Sequence, residues 1–291
     1  MPTPLSDLLA RGTAQLSAAG VPDPVVDAEL LAAFVLGESR GSVQAGAITE
    51  RGIDDAQVQS IQALFDRRAA REPVQHITGL APFRHLELSV GPGVFVPRPE
   101  TEWVTELALG ELLTQAEAQS SAEAVRVVDL CTGSGAIAFA LASEAPRASV
   151  WGVEKSADAF AWTQKNLSAL GLGNVTLVHG DVAEALPELD GSVAVVISNP
   201  PYIPSEAIPR DPEVRLFDPD LALFGGVDGL DVVRAVSATA HRLLKPGGFL
   251  VIEHGELQAE QIHELLTTQG FREVMCHQDF TDRDRATTAR R

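Results

Sequence analysis

The chain predicts an α/β protein: a doubly wound parallel sheet, preceded by a small helical bundle and joined to it by a β-hairpin. Three observations carry that expectation. From about Glu102 onward, helical periods alternate with short apolar runs, the pattern of parallel strands connected by crossover helices. Residues 1–72 show helical periodicity without strand-like runs. Between these regions, residues 75–96 carry period-two alternation and a Gly91-Pro92-Gly93 turn. The corresponding domains are residues 1–72, a linker over 73–100, and 101–291.

Taken in order, Leu5, Leu8, Leu9 and Leu16 form a first helical stripe, and Val25, Val26, Leu30, Leu31, Phe34 and Val35 a denser second one. Val58, Ile61, Leu64 and Phe65 form a third, opened by Asp54-Asp55 as a cap. Glu72-Pro73 closes it, because a proline pushes its predecessor out of the helical region. In the linker, Leu86, Leu88 and Val90 alternate as one face of the hairpin. Strands are then expected at 125–130, 149–153, 175–179, 193–198, 249–253 and 271–277, with helices at 136–143, 157–170, 230–244 and 258–268. Residues 201–228 are proline-rich and weakly periodic, and are expected to fold as a loop over the site. The basic ending, residues 283–291, is expected to be a frayed tail.

Composition narrows the function classes. At 45% apolar over 291 residues, the chain has ample material for a core. Its 40 acidic residues outnumber 22 Lys and Arg, and the net charge of -18 argues against binding duplex nucleic acid, which requires neutralising phosphates. Such a charge suits a cationic ligand or a basic partner. The two cysteines, Cys131 and Cys276, make no disulfide framework, and Met1-Pro2-Thr3-Pro4 opens no secretory signal. A reduced, cytoplasmic, monomeric protein without a metal centre is the expectation. No apolar stretch approaches the roughly 18 residues of a membrane span.

Val127-Val128-Asp129-Leu130 runs into Cys131-Thr132-Gly133-Ser134-Gly135 and then a helix, the strand, glycine loop and helix that a nucleotide site requires. Alone, that loop would equally serve a dinucleotide enzyme. The next strand ends at Glu154, suited to ribose hydroxyls, and the third at His179-Gly180-Asp181-Val182, where a carboxylate could accept from an adenine amino group. Asp129, Glu154 and Asp181 together suit an adenosine carrying a cationic sulfonium better than one carrying an anionic pyrophosphate. That chemistry points to S-adenosylmethionine.

On the fourth strand, Val193 to Ser198 is followed by Asn199-Pro200-Pro201-Tyr202. Two prolines fix two φ angles and remove two donors, so the loop is built to accept N–H groups. The Asn199 oxygen and the Pro200 carbonyl can hold both hydrogens of a planar NH2, while Tyr202 covers its face.

With these motifs the chain resembles the class I methyltransferases, and more narrowly the HemK/PrmC family. The resemblance covers nearly the whole chain. It is carried by Glu72 to Gly79, Val94 to Glu102, Asp129 to Gly135, Asn199 to Tyr202, Asp228-Gly229-Leu230-Asp231 and Glu253-His254-Gly255. The resemblance implies a Rossmann-like, seven-stranded methyltransferase domain behind a helical recognition domain. It further implies methylation of the side-chain amide nitrogen (N5) of the glutamine in the Gly-Gly-Gln loop of class I peptide chain release factors, yielding S-adenosylhomocysteine. Carried over by position, it assigns Cys131, Thr132, Gly133, Ser134 and Gly135 to the methionine and ribose side of the cofactor. Glu154 then meets the ribose, Asp181 and Val182 the adenine, and Asn199, Pro200, Pro201 and Tyr202 the substrate glutamine, with Asn199 also beside the cofactor. Asn199, Pro200 and Tyr202 are the expected catalytic residues. Cys131 stands where the family commonly has glycine, which implies an ordinary backbone conformation there, and Val182 replaces a larger residue.

Other parts of these motifs admit two roles. Arg98, Glu100, Thr101 and Glu102 either line the pocket or, for Arg98, fasten the hairpin through a carboxylate. His76 is read as a structural hydrogen-bonding group, and Glu253-His254 as shaping the site. The competing functions are an adenine-N6 methyltransferase, which the acidity disfavours, a ribosomal-protein glutamine methyltransferase of the same family, and a nucleotide-sensing module without catalysis, which would not need an amide-accepting loop.

Overall fold

A computed structural model describes residues 2–118 and 123–291. The chain divides into two compact units, Met1–Leu80 with Pro209–Phe217, and Ala81–Ile208 with Asp218–Arg291.

The first unit opens with β1 (Thr3–Pro4), α1 (Leu5–Ala18), α2 (Pro24–Leu36), α3 (Arg40–Ile48), β2 (Gly52–Ile53), α4 (Asp55–Ala69) and α5 (Val74–Thr78). Leu5, Leu8 and Leu16 from the first stripe and Ile61 and Phe65 from the third are fully buried together. The second stripe differs from its expectation, because Val25, Leu30 and Phe34 are exposed while Ala28, Leu31 and Ala32 face the core. Small residues there let α2 approach its neighbours closely. Gly12 does the same on α1, since a Cβ at that position would stand 2.3 Å from the Phe65 ring. Asp54 caps α4 in a reciprocal box: its carboxylate accepts from Gln57 N at 2.8 Å, and the Gln57 side chain accepts from Asp54 N at 3.2 Å.

The second unit begins with the hairpin β3 (Leu80–Phe83) and β4 (Leu86–Ser89), followed by α6 (Pro99–Ala118) and β5 (Arg126–Leu130). It continues through α7 (Ala136–Glu144), β6 (Ser149–Glu154), α8 (Ala157–Leu170), β7 (Val175–His179) and β8 (Val193–Ser198). Then come α9 (Pro212–Phe217), which packs in the first unit, α10 (Asp220–Leu223), α11 (Asp231–Leu243), β9 (Leu244–Glu253), α12 (Ala259–Thr268), β10 (Arg272–Gln278) and β11 (Asp284–Arg290). Among the described residues these strands form a seven-stranded sheet in the order β10-β11-β9-β8-β5-β6-β7. The pairs among β9, β8, β5, β6 and β7 are parallel, and β11 runs antiparallel to both β9 and β10. Alternate residues serve opposite faces. Val127, Val195 and Ile197 pack beneath α6 and α7, whereas Val128, Leu130 and Val196 pack beneath α11 and α12. The strand order reverses at β5, between β6 and β8, so a crevice opens at the carboxyl ends of these strands.

Three expectations are corrected here. Residues 283–291 are not a frayed tail: β11 is an interior strand, with Ala286, Thr287, Thr288 and Ala289 buried. Its small and polar residues carry no aliphatic signal, yet β9 and β10 satisfy its backbone on both sides. The hairpin is confined to β3 and β4, and the Gly91-Pro92-Gly93 turn packs on α8, where Trp162 Nε1 donates to the Pro92 carbonyl at 3.2 Å. Residues 201–228 are not a single loop over the site. They hold α9 and α10, and α9 is fastened within the first unit by Glu213, which accepts from Arg68 at 2.8 Å and Arg71 at 2.6 Å. Arg68, whose side chain is 7% exposed, also donates to Asp27 at 2.7 Å, completing a buried ion cluster.

Candidate active site

The crevice brings four strand ends side by side: Leu130 pairs with Ser198 and with Val153, and Glu154 with His179. The Ser198 hydroxyl donates to the Leu130 carbonyl at 2.5 Å, stitching the strand that carries the glycine loop to the strand that carries Asn199.

The glycine loop folds on its own buried acid. Asp129 is fully buried; one carboxylate oxygen accepts from the Thr132 hydroxyl at 2.5 Å and from Ala138 N at 3.2 Å. The other oxygen has no hydrogen-bond partner among the described residues, and burial pushes the Asp129 carboxyl up to about 7. Cys131 has φ +65°, which corrects the expectation of an ordinary conformation. The turn from β5 into the loop needs a left-handed residue, the reason glycine suits the position. Burial also pushes its thiol up, so Cys131 is no nucleophile.

The two glycines have different jobs. At Gly133, with φ +58°, an added Cβ meets nothing within 4 Å, so the loop is open on that side to a ligand. At Gly135 it would stand 2.0 Å from Phe139, so this glycine serves the packing of loop on helix. The Thr132 and Ser134 side chains are buried, and the Thr132 hydroxyl is taken up by Asp129. Asn166 ties the loop to the hairpin, donating to the Ser134 and Ser89 carbonyls at 3.0 Å each.

Glu154 is buried, and its two oxygens accept from Gly133 N at 2.8 Å and Ser156 N at 2.7 Å. Burial raises its pKa, and these N–H groups oppose the rise. Asp181 accepts from Ala183 N at 3.0 Å and pairs with Lys155 at 2.8 Å, which holds its carboxyl below the usual range. Val182 beside it is buried. Glu154 and Asp181 against Lys155 leave this rim negative, and the orphaned Asp129 oxygen and the open face of Gly133 fit a cationic adenosyl cofactor.

The tetrapeptide is held from outside. Gln258 Nε2 donates to the Tyr202 carbonyl at 2.8 Å while its oxygen accepts from Gly255 N at 2.9 Å. Gly225 and Gly229 bring a second segment against it: an added Cβ would stand 2.5 Å from the Pro201 carbonyl oxygen at Gly225, and 2.3 Å from that of Tyr202 at Gly229. This close approach is the physical content of the Asp228-Gly229-Leu230-Asp231 motif. Burial pushes the Tyr202 phenol up, with Arg285 as its hydrogen-bonding neighbour, so it stays neutral. Asn199 is half-buried, and its Nδ2 donates to the Thr101 hydroxyl at 3.2 Å.

Several of the ambiguous residues have structural partners. Arg98 pairs with the buried Asp218 at 2.5 Å and lies over the Phe95 ring, fastening this stretch to the segment just before α10. His254 is fully buried between the Gly255 carbonyl and the Thr287 hydroxyl, each at 2.9 Å, and burial holds its pKa down. His76 packs edge-on against Phe217. Reading the sequence missed Arg285 and Gln258. Arg285 lay in the supposed tail, and its only signal is a charge amid Ala and Thr; Gln258 carries no signal beyond its place after Glu253-His254-Gly255.

Comparison with known proteins agrees with this geometry. Residues 7–79 match the family described as PrmC N-terminal domain, and residues 121–289 match a methyltransferase domain. A Streptomyces coelicolor protein named release factor glutamine methyltransferase is 49% identical, over 97% of this chain and 96% of its own. A Bifidobacterium longum protein of the same name is 43% identical, over 97% of each. Among solved structures, a T. thermophilus 16S rRNA methyltransferase shares the fold, with a TM-score of 0.50 and 24% identity over 73% of this chain and 49% of that one.

Proposed function

The chain belongs to the release factor glutamine methyltransferase family, and we propose that it methylates the side-chain amide nitrogen (N5) of the glutamine in the Gly-Gly-Gln loop of class I peptide chain release factors. It is an S-adenosylmethionine-dependent methyltransferase. The observation that carries the substrate reading is the position of Asn199-Pro200-Pro201-Tyr202 directly after β8, which is stitched to the strand that carries the glycine loop.

In this reading Gly133, Glu154, Asp181 and Val182 hold the cofactor, which supplies an electrophilic methyl group when bound. A primary amide is a poor nucleophile because its nitrogen lone pair is delocalised, so positioning does much of the work. The Asn199 oxygen and the Pro200 carbonyl accept the two amide hydrogens, and their negative dipoles favour the positive charge that develops on nitrogen. Tyr202, neutral and packed on the amide plane, excludes water. The N-methylated amide is cationic and strongly acidic as it forms and gives a proton to water to become the neutral product, so no dedicated base is required.

The first unit supplies recognition of the release factor, since one tetrapeptide cannot select a protein. The enzyme is proposed to act as a cytoplasmic monomer without direct nucleic-acid contact; no described helix is long and apolar enough to cross a membrane. The test is incubation with labelled methyl donor and purified release factor, wild type or with the loop glutamine replaced, followed by mass mapping. Label confined to that glutamine supports the reading, and label that survives its replacement overturns it.

A further inference from the structure

The three most exposed large apolar side chains among the described residues are Phe280, Leu257 and Val227, at 89%, 88% and 87%. All three belong to the second unit, and each is tied to a group that holds the tetrapeptide. Val227 lies inside the Gly225 to Gly229 segment, whose backbone crowds the Pro201 and Tyr202 carbonyls. Leu257 directly precedes Gln258, which donates to the Tyr202 carbonyl at 2.8 Å. Phe280 lies in the turn between β10 and β11, and its ring meets that of Trp103 edge-on at 6.4 Å. Trp103 shares the first turn of α6 with Thr101, whose hydroxyl accepts from Asn199.

Sheet register explains why they gather. Ser198 pairs with Ile252 and Ala286 with Glu253, so the end of β8, the end of β9 and the start of β11 share one edge. The crevice rim therefore has two halves. Glu154 and Asp181 give charge to the half at the ends of β6 and β7, and the half at β8, β9 and β11 carries the apolar tips. Charges on that second half are paired among themselves. Asp228 beside Val227 meets Arg234, Glu256 beside Leu257 meets Arg283 at 3.7 Å, and Asp279 beside Phe280 meets Arg285 at 3.1 Å. Exposed apolar residues scattered singly are ordinary, but gathered at the rim of one site they mark an interaction surface. A glutamine side chain is short, so its amide reaches Asn199 only if the main chain that bears it crosses this rim. We propose that Val227, Leu257 and Phe280 clamp the substrate polypeptide around its glutamine, the occupant being the uncharged, apolar stretch of the release factor that contains the Gly-Gly-Gln loop. This rests on the reading that the tetrapeptide receives that glutamine. Glycines beside the glutamine leave its main chain bare, so it can lie directly on a ring or a branched side chain.

The test follows methylation of a release factor by the full chain carrying Val227→Ser, Leu257→Ser and Phe280→Ser, singly and together. Leu113→Ser, at an exposed apolar position on α6, is the control. Cofactor affinity is followed by calorimetry and folding by thermal melting. The triple variant is expected to raise the release factor KM about 10- to 100-fold, with kcat and cofactor affinity within about threefold of wild type. Phe280→Ser alone should raise KM about fivefold, and Leu113→Ser should leave it unchanged. In a second arm, a photoreactive benzophenone side chain replaces Phe280 or Leu257, and crosslinks to the release factor are mapped by mass spectrometry. Crosslinks within a few residues of the loop glutamine support the clamp. Wild-type KM in the triple variant, or crosslinks confined to parts of the release factor remote from that glutamine, overturns it and spares the proposed function. A wild-type enzyme that leaves the loop glutamine unlabelled overturns the reading beneath it. If the triple variant fails to fold, the single variants and the crosslinks decide the question.

Discussion

The loop after β5 and the loop after β8 leave adjacent strands, yet they are stiffened by different means. The first is self-contained: Asp129, Thr132 and Ala138 close it from within, and its glycines set both its opening and its packing. The second borrows its rigidity. Prolines restrict its own dihedrals, but Thr101, Gln258 and the Gly225 to Gly229 segment hold it from places distant in sequence. Each loop overlies a buried acid, Asp129 or Glu253, pushed up to about 7 by burial and carrying an oxygen without a partner. A site divided in this way can bind its cofactor and align its substrate through separable sets of contacts.

If the contacts are separable, damage to the supports of one loop should spare the other. Among the supports of the two loops, the largest effect is expected from Gly225→Ala, where the new Cβ would lie 2.4 Å from the Gly229 carbonyl oxygen and 2.5 Å from that of Pro201. Backbone on both sides must shift, so turnover should fall about 100-fold while calorimetry shows cofactor affinity little changed. A parallel loss of cofactor affinity would merge the two loops into one unit.

Glu213→Ala acts in the first unit. It removes the partner shared by Arg68 and Arg71, and denaturant unfolding should show a loss of about 3 kcal/mol. Cofactor affinity should stay unchanged.

The buried acid under the cofactor loop gives a pH signature. Asp129 rises from 3.8 to about 7 on folding, so between those values the native state keeps a proton that the unfolded state has released. Its contribution to stability is therefore greatest below pH 3.8 and lost as pH rises to about 7, by about 4 kcal/mol. Asp129→Asn removes that dependence. Its stability relative to wild type should improve steadily across this window, and a constant difference would show that Asp129 titrates normally. The smallest effect is expected at Cys131, whose φ of +65° is strained for a side chain: Cys131→Gly should gain up to about 1 kcal/mol.

The same contrast explains what the sequence revealed. The glycine loop, the tetrapeptide and the apolar strands leading to them are local patterns, so Val193–Ser198 and Val175–His179 match their expected bounds. β11 escaped because Ala286, Thr287, Thr288 and Ala289 are small or polar, and only pairing with β9 and β10 makes them a strand. The Cys131 conformation escaped because a left-handed backbone leaves no mark when the residue is not glycine. Thr101 was quoted within its motif, but its link to Asn199 spans 98 positions and exists only once α6 lies beside β8. What remained hidden was therefore mostly the support of the amide loop.

The division of labour between the loops is tested most directly by measuring cofactor affinity and single-turnover methyl transfer in Asn199→Ala. Affinity within about threefold of wild type, with transfer slowed about 100- to 1000-fold, is the predicted result. Transfer at the wild-type rate, or affinity lost in step with transfer, would contradict it.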